Sequence, residues 1–178
     1  MRSTLAAILL TLGALPAPGV LRAQNPVTDG FRAIEQRQAK NILDAAAEMP
    51  ADKYGFKPTP AQMSFGDIVA HLITEGNDYL CSAASGQKAP ERGKFAGTDP
   101  KETLVAGLKA SFQFCEAAGA QMQDARLADS TEFFGGHKVT HAIAMLITVA
   151  DWADHYSQMA IYLRLNGLLP PTAKKPSE

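Results

Sequence analysis

Apolar residues recur at intervals of three and four in four separate stretches of this chain, which is the periodicity of a helix with one buried face. Phe31, Ile34, Ile42, Leu43 and Ala46 mark a first helix from about Asp29 to Met49, ended by Pro50. Phe65, Ile68, Val69, Leu72, Ile73 and Leu80 mark a second from about Ser64 to Ala84, opened by a Ser64–Asp67 capping box. A Gly- and Pro-rich loop spans Ser85 to Pro100. The third helix takes Asp99 as N-cap and Pro100 at its first position, then runs through Leu104, Leu108, Phe112 and Cys115 to about Gln123. The stretch from Gln123 to Gly136 is irregular, and the fourth helix runs from about Lys138 to Asn166, stopping at Gly167. No alternating run of useful length is present, so strands are not expected. The reading is an all-α four-helix bundle.

The front of the chain reads as an export signal. Arg2 precedes an apolar run from Leu5 to Leu15, too short to span a bilayer, and Ala23 offers a cleavage site before Gln24. An uncleaved N-terminal anchor is the other reading. Residues 1–23 are thus assigned to the signal, 24–171 to one domain and 172–178 to a flexible polar tail. The protein is expected to be exported, periplasmic or secreted. Without the leader, Arg2 and Arg22 are lost, leaving 15 basic against 18 acidic residues. No basic patch supports nucleic-acid binding, and no second apolar run reaches membrane-spanning length. Two cysteines, Cys81 and Cys115, read as a disulfide in an exported chain, with two buried thiols as the alternative.

The chemistry concentrates in the last helix. Asp151 and His155 lie four residues apart, on one face and one turn apart, as two ligands of one metal ion must. His71, on the second helix, can complete a three-ligand site. Taken singly, these residues have plainer readings: a half-buried histidine, and an i,i+4 pair in which a carboxylate holds an imidazole. Imidazole and carboxylate together suit Zn²⁺, Ni²⁺, Mn²⁺ or Fe²⁺. Such an ion can acidify water, polarise a carbonyl or hold a thiolate. His141 is too far along the helix axis to join the same ion, and His137 reads as a loop residue. Asp154 points to solvent. Gln158 reads as a group supporting the ligands, and Arg164 as a cation at the helix C-terminus.

His155, Gln158, Tyr162, Leu163, Arg164, Gly167, Pro170 and Pro171 resemble the C-terminal signature of the DinB/YfiT-like superfamily of metal-dependent four-helix bundles. Asp151 stands where that family usually carries its first histidine. The resemblance covers nearly all of the chain after the leader, and His71 matches the remaining ligand position. It implies an up-down-down-up topology with the second and third helices parallel, which would bring Cys81 and Cys115 to similar heights. It implies a divalent metal, Zn²⁺ or Ni²⁺, held by His71, Asp151 and His155. It also implies a homodimer, with Phe133, Phe134, Trp152 and Tyr156 as candidates for either the interface or the core.

Relatives of this kind include metal-dependent thiol S-transferases and a thiol-dependent maleylpyruvate isomerase. The resemblance therefore implies transferase or hydrolase chemistry on an unknown substrate. Export argues against the thiol version, because small thiols are chiefly cytosolic reductants. The competing expectation is a non-catalytic envelope or stress-associated bundle whose metal site has degenerated at Asp151.

Overall fold

Pro26 opens helix α1 (Pro26–Glu48), where its missing N–H removes a donor that would otherwise need a partner. The computed structural model describes residues 24–174, and the expected export signal at 1–23 lies outside the described residues. The next donors of α1, the N–H groups of Val27 and Thr28, reach the Asp124 carboxylate at 3.0 and 2.9 Å. A residue nearly a hundred positions away thus caps this helix. Pro50 lies just past its other end.

The second helical rod has three parts: α2 (Phe65–His71), a π-helical stretch from Leu72 to Tyr79, and α3 (Leu80–Ser85). The Ser64–Asp67 capping box is present with both bonds made. Gly86, at φ 74°, turns the chain out at the far end, a conformation open to glycine without steric cost. The third helix, α4 (Lys101–Gly119), has Pro100 rather than Asp99 at its N-cap position. Pro100 adopts an extended ψ of 139°, and the Asp99 carboxylate turns back to the N–H of Ala96 instead.

After α4 the chain forms a small antiparallel hairpin that the sequence does not announce. Strand β1 (Ser130–Glu132) pairs with β2 (Lys138–Thr140), Thr131 opposite Val139. Strands of three residues are too short to show a period of two. Gly135 and Gly136, at φ 68° and 76°, make the turn between them. Because Lys138–Thr140 is engaged in this ladder, α5 starts at His141 and runs to Leu165, with Thr140 as its side-chain cap. Gly167, at φ 75°, closes α5, with Leu168 N–H reaching back to the Leu163 carbonyl and Gly167 N–H to that of Arg164. The polar tail expected to be flexible from Thr172 begins with anchored residues. Tyr156 donates its hydroxyl to Thr172, and Lys174 pairs with Glu48 at 2.5 Å.

Helix directions follow from the cross-links. Residues offset by 34 meet between the second rod and α4: Ile73 lies where a Gly107 side chain would point, Asn77 donates to Ser111 at 2.8 Å, and Cys81 is disulfide-bonded to Cys115. A constant offset means parallel helices. Helix α5 runs the other way: its start bonds Ala83 through His141, and its end bonds Met63 through Tyr162. Helix α1 is antiparallel to α4, with Arg32 on the Gly119 carbonyl and Lys101 on those of Ala47 and Met49. The bundle is up-down-down-up. At its centre Trp152, fully buried, meets Phe31 and Phe112 at ring distances of 5.7 and 5.9 Å. Its indole N–H donates to Asn77, which donates to Ser111, which donates to the Leu108 carbonyl. Each of these buried donors finds an acceptor in the chain, as burial requires.

Candidate metal centre

The antiparallel packing of α5 on the second rod brings His71, Asp151 and His155 together. One potential ligand atom from each lies within 4.8 Å of the other two. His71 closes α2 just before the π-helical stretch, and the other two lie one turn apart on α5. The His71 Nε2 and Asp151 Oδ1 atoms are 3.4 Å apart, and the imidazole rings of His71 and His155 stack at 4.5 Å. Bonds of about 2.1 Å in a tetrahedral site set ligands roughly 3.4 Å apart, so this pair already has the separation a shared ion needs.

A backbone carbonyl assigns the ring nitrogens of His155, whereas both nitrogens of His71 face carboxylates. His155 Nδ1–H donates to the Asp151 carbonyl at 2.9 Å, which leaves Nε2 with its lone pair free. His71 Nδ1 lies 3.0 Å from the Glu75 carboxylate, one turn on along its own helix. With that nitrogen donating to Glu75, the Nε2 lone pair of His71 faces the Asp151 carboxylate. Two electron-rich atoms facing each other require a positive charge between them, either a proton or a metal ion. The hydrogen bond to Asp151, with the charges of Asp151 and Glu75, holds His71 above the usual imidazole pKa against the opposing pull of burial.

Asp151 Oδ2 supplies the second test of fit. It is buried and has no hydrogen-bond partner among the described residues. An unsatisfied buried carboxylate oxygen costs the full desolvation of that atom unless something positive reaches it. Gly76 makes room for it, since a Cβ there would lie 2.7 Å from Oδ2. The donor set, the tautomers and the unpartnered oxygen all suit a divalent cation. The cluster can hold one, with Glu75 orienting His71 in the way a carboxylate behind a metal-bound histidine does.

Glu75 and Gly76 were not among the residues singled out from sequence. Glu75 carries a signal of the same kind as Asp151 and His155, a four-residue step from a histidine on one helix. Gly76 carries none. Gln158, expected to support the ligands, bonds instead to Asp154 on the outer face of α5. His141 holds the Ala83 carbonyl and lines a separate cavity of about 190 Å³ with Met122 and Arg126. Arg164 lies on the Ala160 carbonyl in the last turn of α5. Of the residues offered for an interface or the core, Trp152 is core, Phe133 and Tyr156 pack partly against it, and Phe134 is exposed.

The comparisons agree with this architecture. A DinB-like protein of Bacillus cereus ATCC 10987 superposes with a TM-score of 0.65 at 18% identity, covering 80% of this chain and 95% of its own. A DinB-like protein of Bacillus subtilis gives a TM-score of 0.65 at 17% identity, covering 83% of this chain and 99% of its own. At such identities the likeness concerns the fold. No curated protein matches the chain. The profile of the DinB superfamily matches residues 34–159, which include His71, Asp151 and His155, and the chain belongs to that superfamily.

Proposed function

We propose that this protein is an exported metalloenzyme in which His71, Asp151 and His155 hold one Zn²⁺ or Ni²⁺ ion for a transferase or hydrolase reaction. The observation that carries the reading is the buried Asp151 Oδ2, without a partner among the described residues, beside an Asp151 Oδ1 that the Nε2 atom of His71 faces. A divalent ion bound there would supply Lewis-acid chemistry, polarising a carbonyl or acidifying a water. The chain's own part is positioning. Glu75 stands 3.0 Å from His71 Nδ1 and would hold that ring with Nε2 toward the ion, the Asp151 carbonyl fixes the tautomer of His155, and Gly76 lets the carboxylate sit close to the π-helical backbone. The disulfide supports a location outside the cytoplasm, since such bonds persist in oxidising compartments.

A second reading also has an observation in its favour. His71 Nε2 lies 3.4 Å from Asp151 Oδ1 and, as the Nε2–H tautomer, donates to that oxygen without any metal, as expected of a non-catalytic bundle with a degenerate site. Metal content after purification without chelator separates the two. The metalloenzyme reading expects about one equivalent of Zn²⁺ or Ni²⁺, its loss in His155→Ala, and binding at least 100-fold weaker in Asp151→Ala with the helical fold retained. Asp151→His, which installs the family's usual residue, is expected to bind at least as tightly. A wild-type protein that binds nothing while Asp151→His binds would establish the degenerate site instead.

A further inference from the structure

We propose that the cavity at the end of the bundle where α3 and α4 stop and α5 begins binds one neutral hydroxylated ring, a monosaccharide or cyclic polyol, with a ring hydroxyl donated to Nε2 of His141. His141 lies about 15 Å along α5 from Asp151, so this site is separate from the metal centre and does not depend on that reading.

His141 supplies the fixed point. Its Nδ1–H donates to the Ala83 carbonyl at 2.8 Å. In the neutral ring this bond leaves Nε2 with its lone pair, and no described residue bonds that nitrogen. Gly86 lies against the same edge of the ring, since a Cβ there would stand 3.4 Å from Cε1 and 3.7 Å from Nε2. Gly86 and His141 both line the cavity of about 190 Å³, which puts the lone pair on its wall. A ligand that satisfies it brings an O–H or N–H donor.

Three segments far apart in sequence build the walls, and each is tied to the other two. The His141 bond joins α5 to α3. The N–H groups of His141 and Ala142 reach the carbonyls of Asp129 and Leu127 at 2.9 and 3.0 Å, which joins α5 to the chain that follows α4. The Cys81–Cys115 disulfide joins α3 to α4. The cavity is thus formed before a ligand arrives, and binding does not have to order its walls.

The lining selects the ligand. Ala84 and Met122 are buried and Leu127 partly so, and they give an apolar floor. Gln87, Gln121, Gln123 and Arg126 are exposed and form the rim. A glutamine amide both donates and accepts, as a hydroxyl does. Arg126 is paired with Asp129, so the rim offers an anion no unpaired charge. A purely apolar ring would strip water from the amides and the Nε2 lone pair without replacing it. A sugar or cyclic polyol meets both parts, with a C–H face on the floor and hydroxyls on His141 and the rim. The size agrees, since a cavity of about 150 Å³ admits benzene and this one leaves room for substituents.

The test titrates D-glucose, D-galactose and myo-inositol into the full chain carrying ¹⁵N-labelled histidine, read by NMR. The chain has four histidines, and His141→Gln identifies the signals of His141 by their loss. At least one probe is expected to move the His141 Nε2 resonance toward its hydrogen-bonded value, saturating with a Kd on the order of 1 mM, as about twelve heavy atoms allow. The signals of His71 and His155 should stay in place. Gln121→Ala/Gln123→Ala, which removes two exposed rim side chains, is expected to weaken binding about five-fold at an unchanged melting temperature. D-Glucuronate should bind no more tightly than D-glucose. Three results would each overturn this inference: no probe moves the His141 signal, the double variant binds as wild type does, or glucuronate is preferred about ten-fold. None of them bears on the metal centre.

Discussion

Asp151, half-buried, and Glu35, buried, each hide one carboxylate oxygen, with opposite needs. Asp151 sits between two imidazoles, so a cation can settle there. Glu35, on α1, is 2% exposed and its Oε2 has no partner among the described residues. Burial, with Glu116 adding repulsion, pushes its pKa up to about 7. Between the unfolded value of 4.5 and that folded value, the native state holds a proton that the unfolded chain has released. Stability is therefore full below about pH 4.5 and falls as pH rises through 7, by about 3 kcal/mol in all. Glu35→Gln is expected to melt higher than wild type at pH 8 and about equally at pH 4.5, in thermal melts across that range. A parallel pH dependence in both proteins would contradict this account. His71, Asp151 and His155 could be picked out in the sequence by residue type and spacing. Glu35 could not, because nothing local says that a glutamate one turn from Phe31 will find no cation when α4 packs over it.

The second helix and the hairpin show where local rules hold and where they give out. The Ser64–Asp67 box, the Gly167 stop and Pro50 act within one turn of themselves, and all three lie at or beside helix ends in the structure. The π-helical stretch was not legible. Its wider turns put Gly76 beneath Asp151 and Asn77 beside Trp152, and both partners lie on α5. The hairpin was missed for a related reason, since Ser130–Glu132 becomes a strand only because Lys138–Thr140 lies beside it. The disulfide ties the second rod to α4 across a separation of 34 residues. Closing a loop of that size restricts the unfolded chain by about 3–4 kcal/mol. A Cys81→Ala/Cys115→Ala double variant is expected to melt on the order of 10 °C lower, read by circular dichroism, with the bundle still formed. An unchanged melting temperature would mean that the parallel packing alone holds these helices in register.

Helix α5 presents an outer stripe that the bundle leaves uncovered. Leu146 is 60% exposed, Ile161 52% and Leu165 59%, with Ile143 on the same face. We propose that these exposed apolar side chains, which flank the Asp154–Gln158 pair on the same helix, form the contact of a homodimer. Light scattering at micromolar concentration should give twice the chain mass for wild type and the monomer mass for Leu146→Glu/Ile161→Glu. A monomeric wild type would end the idea. Among the described residues no helix is long and apolar enough to cross a membrane, so the stripe is not a membrane span. The sequence by itself determined that the chain is helical, where its long helices begin and end to within a few residues, and which side chains have the chemistry to bind a metal. Those properties rest on periodicity, caps and residue type, which act over a few positions. Only the tertiary structure decided that His71, 80 residues before Asp151, turns its Nε2 toward that carboxylate, that Glu75 stands behind it, and that Phe134 descends to Tyr79. These outcomes depend on the relative register of packed helices, a sum of many weak contacts between segments far apart in the chain, and no short stretch of sequence encodes it.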